Sequence, residues 1–349
     1  MTQPTKKLPP LVDEAALKEY LDARFESSSE LSAKRHRAGH SNETFFVRYG
    51  AEELVLRRPP SGAFLPTAHD VSREYRVLHA LGSTVVRSPR TVLMCDDESV
   101  IGAPFYLMER VDGIVIRSEL PETFDEEVRP GLGEQMIDAL AELHGVDFEA
   151  CGLAGFGKRE GYLERQLRRW SGQLELTLPM TRSVPELERL GDWLHDNRPD
   201  SPEATLVHGD YKLDNVMFAG TAPARLVTIL DWEMSTLGDP LADLGWMASF
   251  WIEPEETDDV LAKLNPVTRL DGFSSRADLI RRYEHRTGRD ASALDWYRVL
   301  AIWKLAILLE GSYARHLAGM TDDPFFARME RDVPALARRG WAVAAGITP

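Results

Sequence analysis

The hydrophobic period of this chain changes near Val111, and that change limits what it can fold into. Before it, apolar residues come in short runs, 45–49, 53–58, 91–95 and 104–109, of strand length and composition. The second run stops at Pro59-Pro60, and the first two read as a hairpin. Two helical patterns accompany them: 12–23, with Asp13 as a possible cap, and 70–81, with Tyr75, Leu78 and Leu81 on one face. After Asp112-Gly113 the spacing is mostly helical, over 133–143, 161–174, 185–194, 275–287 and 296–317. A strand–loop–strand, 216–218 and then 226–230, is embedded in this second part. The pattern predicts an α+β fold with a strand-rich lobe over 1–111 and a mainly helical lobe over 112–349, and 349 residues suffice for both.

The embedded segment carries the chemistry. His208-Gly209-Asp210-Tyr211-Lys212-Leu213-Asp214-Asn215 sets an Asp, a Lys two residues on and an Asn five residues on. Ile229-Leu230-Asp231-Trp232-Glu233 then places a second Asp at the end of an apolar stretch. Phosphoryl transfer from ATP needs such a set: a carboxylate to orient the acceptor hydroxyl, a cation to steady the moving phosphate, an amide and a second carboxylate for magnesium. Asp210 is the catalytic candidate, because a loose transition state asks for orientation of the hydroxyl more than for its deprotonation. Alone, Asp210 would read as a turn cap; Lys212, Asn215 and Asp231 in register favour the chemical reading. Asn215 and Asp231 are the magnesium candidates, since hard cations take oxygen ligands. Glu233 is either a supporting contact or a solvated acid. His208 reads as a hydrogen-bonded structural residue, and Asp239 and Asp243 as ties between the segment after Asp231 and the catalytic loop.

Charge and cysteine content narrow the partners. A net charge of −15 argues against nucleic acid or an anionic membrane, both of which want basic surfaces. Cys95 and Cys151 form no ligand pattern and read as reduced thiols of a cytoplasmic protein. The apolar run 299–309 is broken by Lys304 and is too short to span a bilayer. Pro9, Pro10, Asp13 and Glu14 interrupt any leader-like apolar stretch. The oligomeric state is not readable.

The chain resembles the aminoglycoside phosphotransferase family of the protein-kinase-like fold, in particular the branch whose domain is fused to acyl-CoA dehydrogenases. The phrases that carry the resemblance run from Gly39-His40-Ser41-Asn42 through Leu54-Val55-Leu56-Arg57-Arg58 and Arg73-Glu74-Tyr75 to Phe105-Tyr106-Leu107-Met108-Glu109. Leu206-Val207-His208-Gly209-Asp210, Asp231-Trp232-Glu233 and Gly238-Asp239-Pro240 complete them. The resemblance implies a bilobal kinase-like fold that uses ATP and Mg2+. It implies a turn over 38–44 that covers the nucleotide, with Ser41 and Asn42 as phosphate donors, and a hinge in which the Glu109 carbonyl and Val111 amide meet adenine. Lys212 matches the lysine that many protein kinases place two residues after the catalytic Asp. Where kinase-like enzymes usually carry a strand lysine this chain has Arg57, a longer and planar phosphate donor, with Glu74 as its expected partner. A register slip by one would put Arg58 there instead.

The short turn after Asp231 leaves little room for a peptide-binding segment, so a small-molecule alcohol is the expected acceptor. An aminoglycoside would want acidic lining. An anionic alcohol such as a hydroxyacyl-CoA would want cations, for which Arg165, Arg168 and Arg169 on one predicted helix are the candidates. The same arginines read equally well as a solvated face balanced by Glu160 and Glu164. Because Arg57 replaces the usual lysine, a nucleotide-binding module without turnover is the remaining alternative.

Overall fold

A computed structural model describes residues 11–36, 42–60, 70–256, 260–321 and 323–346. Ser41 and His69 lie outside them. The chain divides into two compact units, Met1–Thr84 with Ser88–Asp112, and Val85–Arg87 with Gly113–Pro349.

The first unit is built on an antiparallel sheet. Its strands are β1 (Leu31–His36), β2 (Glu43–Tyr49), β3 (Glu52–Arg58), β4 (Thr91–Cys95) and β5 (Phe105–Glu109), in the order β1-β2-β3-β5-β4. Strands β2 and β3 form the expected hairpin, with Thr44 opposite Arg57. Alternation buries Phe45, Val47 and Tyr49. These pack with Leu56, Leu93, Phe105 and the α1 residues Leu17 and Leu21. Helix α1 (Glu14–Phe25) starts where the Asp13 carboxylate accepts from the Ala15 and Ala16 amides. Helix α2 (Val71–Leu81) starts the same way on Asp70. Its buried face is Val71, Glu74, Val77, Leu78 and Leu81, with Tyr75 only half-buried. The sequence reading missed β1, an edge strand whose residues are mostly exposed and carry little period-two signal.

The second unit holds nine helices among the described residues: α3 (Arg129–His144), α4 (Tyr162–Thr177), α5 (Pro185–Asp196), α6 (Pro240–Phe250), α7 (Val260–Leu264), α8 (Arg276–Thr287), α9 (Leu294–Leu317), α10 (Pro324–Ala327) and α11 (Met329–Ala344). Two small antiparallel ribbons sit among them, β6 (Thr205–Val207) with β9 (Thr236–Gly238), and β7 (Val216–Phe218) with β8 (Leu226–Ile229). Helix α6 is apolar around nearly its whole circumference, as a central helix must be. At Gly245 it lies so close to α9 that a Cβ would stand 2.5 Å from the Tyr297 Cβ. No described helix is long and apolar enough to cross a membrane.

Candidate active site

The loop between β6 and β7 is fixed from below by one buried carboxylate. The Asp243 side chain on α6 accepts from the His208 amide (2.6 Å) and the Gly209 amide (2.8 Å). His144, buried on α3, approaches the same carboxylate through Nε2 (3.3 Å), and its Nδ1 faces the Tyr283 hydroxyl (2.7 Å). Burial pushes the His144 pKa down, so its ring is neutral. Nε2 donates to Asp243, and Nδ1 accepts from Tyr283. For Asp243, burial favours the neutral acid, but the hydrogen bonds from His144 and the His208 amide outweigh it and hold the pKa below the usual carboxylate value. Asp239 departs from expectation. It caps α6 by accepting from the Leu241 amide (3.0 Å) and takes a 2.7 Å bond from the Tyr297 hydroxyl, so it ties α6 to α9 and not to the loop.

Gly209 has φ +86°, and a Cβ there would meet the Met234 carbonyl at 2.6 Å. Only glycine passes at that point. His208 is structural, as its sequence context suggests. Its Nε2 donates to the Leu230 carbonyl (2.8 Å) and its Nδ1 accepts from the Asp210 amide (3.2 Å). That pairing joins the loop to the end of β8, where Asp231 stands in the left-handed region at φ 62°. Asp tolerates that conformation better than most residues, and such strain collects at functional sites.

The structure brings Asp210, Lys212 and Asn215 together. One carboxylate oxygen of Asp210, Oδ2, accepts from Lys212 Nζ (2.9 Å) and from Asn215 Nδ2 (2.8 Å). Its Oδ1 has no hydrogen-bond partner among the described residues. Asn215 Nδ2 also donates to the Asp210 carbonyl (2.8 Å). Both of its partners are acceptors, which fixes the amide orientation and leaves Asn215 Oδ1 as a spare oxygen ligand. The Leu230 amide donates to the Asn215 carbonyl (2.8 Å), so Asp231 follows directly on a residue bonded to Asn215. Among the described residues no group of three His, Cys, Asp or Glu side chains could hold a metal. An amide oxygen and one carboxylate nevertheless suit magnesium, which takes most of its shell from water and phosphate. Lys212 also contacts Asp214 (3.2 Å). Burial lowers its pKa, but Asp210 and Asp214 more than compensate, and it stays charged. Glu233 is half-buried.

In the first unit, Arg57 and not Arg58 reaches Glu74. Its Nη2 lies 3.2 Å from Glu74 Oε1 and its Nε 3.4 Å from Oε2. Arg57 also meets Thr44 (3.2 Å), and Asn42 gives its amide to Glu74 (3.4 Å). Arg58 points to the opposite face and bonds the Ile101 carbonyl (3.2 Å), which settles the register. The Glu109 side chain is turned to Arg90 (3.2 Å), and Val111 follows the strand end half-buried.

The arginines of α4 do not converge. Arg165 turns back to the Lys158 and Glu160 carbonyls, Arg168 pairs with Glu164 (2.8 Å), and Arg169 lies over the Trp170 ring (5.1 Å). A second cation at the loop, besides Lys212, was not read from sequence as a site residue. Lys304 of α9 donates to the Gly209 carbonyl (3.2 Å), 95 positions away in the chain.

Comparison with known proteins bears on this geometry. The profile described as "Phosphotransferase enzyme family" matches residues 32–309. Acyl-CoA dehydrogenase family member 11 of Rattus norvegicus is 36% identical over 293 residues, which cover 83% of this chain and 37% of that protein. The chain thus spans well under half the length of this curated relative. A crystal structure from Ralstonia eutropha, provisionally assigned as an aminoglycoside phosphotransferase, is 31% identical with a TM-score of 0.80, covering 95% of this chain and 98% of that one. The GDP complex of aminoglycoside 2'-phosphotransferase-IIIa shares the fold, with a TM-score of 0.61 at 16% identity over 94% of this chain and 99% of that one.

Proposed function

We propose that this chain, which belongs to the phosphotransferase enzyme family, moves the terminal phosphoryl group of ATP to a hydroxyl of a small molecule with the help of magnesium. The observation that carries this reading is the split role of the Asp210 carboxylate. Oδ2 is held by Lys212 and Asn215, while Oδ1 is left to accept a hydrogen bond from an incoming hydroxyl. Holding that hydroxyl in line with the phosphorus lowers the barrier by prepaid orientation.

Each further residue has a task in this reading. Lys212, kept charged by Asp210 and Asp214, meets the transferring phosphate. Asn215 Oδ1 and the Asp231 carboxylate hold magnesium, which when bound offsets phosphate charge. Arg57, fixed by Glu74 and Thr44, is a bidentate donor to the inner phosphates. Asn42 supports it by bonding Glu74, and Ser41 is a further phosphate donor. The Glu109 carbonyl and Val111 amide meet the adenine edge. The acceptor is a hydroxyacyl-CoA or another anionic alcohol rather than an aminoglycoside, and the protein is cytoplasmic.

ADP release tests this directly. With ATP and magnesium, we expect stimulation by hydroxyacyl-CoA thioesters or their free acids and none by aminoglycosides. Arg57 in the lysine place favours a second reading, nucleotide binding without turnover. Tight magnesium-dependent ATP binding with no stimulation by any acceptor would select it.

A further inference from the structure

We propose that Lys304 and Trp246 form an anion subsite beside the catalytic loop, so that among the anionic alcohols named above the acceptor is one with a free carboxylate, or an oxyanion of similar size, next to its hydroxyl, and not the CoA thioester. The inference rests on the phosphotransfer reading for what the acceptor does there, but not for the existence of the subsite.

A small cavity of about 30 Å³ opens against Gly209, with Tyr162, Trp170, Trp246, Tyr297 and Lys304 among its walls. That is room for a group of a few heavy atoms. The Lys304 ammonium lies 4.3 Å from the centre of the Trp246 ring and 5.7 Å from that of Trp170. An aromatic box of this kind recognises cations, and here the protein's own lysine fills it. An ammonium on the acceptor is therefore excluded from this place by charge and by space.

Two donors remain. Lys304 Nζ has three hydrogens, and one serves the Gly209 carbonyl. Trp246 is 6% exposed, and its Nε1, although buried, has no hydrogen-bond partner among the described residues. A buried N–H without a partner costs about 1–3 kcal/mol, a cost that a ligand acceptor removes. Asp243 is the one acid among the lining residues, and its two oxygens already accept from the His208 and Gly209 amides and from His144. Two groups that can only donate, one of them charged, favour an anion, and the Tyr162 hydroxyl on the same wall can donate to it as well. The Lys304 bond to the Gly209 carbonyl sets that anion one residue from Asp210, next to where the acceptor hydroxyl belongs. The α4 arginines, by contrast, are committed to carbonyls, to Glu164 and to a ring face.

The test is calorimetric titration of the whole chain, with ADP and magnesium present, by short straight-chain hydroxycarboxylates and by their methyl esters. The wild type should bind the better acids at least about tenfold more tightly than their esters, the effect of one charge-assisted hydrogen bond. Lys304→Met should abolish that preference, and Trp246→Phe should weaken it about threefold or more. Equal binding of acid and ester by the wild type, no binding of either, or a preference that survives in folded Lys304→Met would overturn the proposal. If Lys304→Met does not fold, an undiminished preference in Trp246→Phe overturns it. Asp210→Asn should retain the preference. A wild type that binds acids selectively yet never releases ADP would sink the phosphotransfer reading and leave the subsite standing.

Discussion

The loop 208–215 and the exposed face of α4 carry the same kind of sequence signal, charged residues at suggestive spacing, and only in the loop do those charges converge on fixed partners. In the loop each charge meets a fixed partner in partly or fully buried surroundings. Asp243 holds two backbone amides, and Asp210 is pinned by Lys212 and Asn215. On α4 the Arg168 side chain is 72% exposed and its bond to Glu164 is a helical i,i+4 pair. Water screens such a pair, which adds little to stability. Spacing proposes a site, and burial with complementary partners makes one.

Breaking the loop's foundation should have the largest effect on stability. Asp243→Ala strands the His208 and Gly209 amides and one His144 nitrogen, for a loss of about 3 kcal/mol of stability and a comparable loss of turnover. Chemical denaturation and ADP release on the same preparation check it. A variant with wild-type stability would mean the loop does not lean on Asp243. Acid should find the same spot. The His144 pKa is depressed by burial, so its contribution is complete above the unfolded value of about 6.5 and is lost as pH falls below it. Asp243, held below its usual value, adds a second loss below about pH 4. The unfolding midpoint of the wild type should drop as pH falls below about 6.5, and His144→Gln should flatten that slope. An identical slope in the variant would remove His144 from the account. The smallest effect belongs to α4. Arg168→Ala should change stability by less than about 0.5 kcal/mol and leave acceptor KM within about twofold. A tenfold rise in KM would restore the arginine face as a substrate surface.

Sequence reading succeeded where the determinants are local. Asp13 and Asp70 cap helices a few residues away, and the hairpin of β2 and β3 follows from alternation bounded by prolines. Asp210, Lys212 and Asn215 are within five residues, so their meeting needed only one loop. It failed where the determinant is distant or faint. Strands β6 and β9 have three residues each and pair only with each other across a long stretch of chain, whereas the equally short β7 is followed closely by its partner β8. Lys304 read as a break in an apolar run, because its partners Gly209, Trp170 and Trp246 reach it only through packing of α9 on α4 and α6. Asp239 and Asp243 share a helix turn, but α9 supplies the Tyr297 hydroxyl that claims the first. The choice between Arg57 and Arg58 turned on sheet register, which β3 settles by pairing with β2 and β5.

The most direct test of the central claim is a paired measurement on Asp210→Asn: acceptor-stimulated ADP release, and calorimetric binding of ATP with magnesium. The variant keeps the contact to Asn215 in shape but loses the carboxylate that orients the hydroxyl. We expect turnover to fall about 10²- to 10⁴-fold while the nucleotide Kd stays within about threefold. Turnover within a few fold of the wild type, with binding unchanged, would show that the Asp210 carboxylate does not carry the transfer.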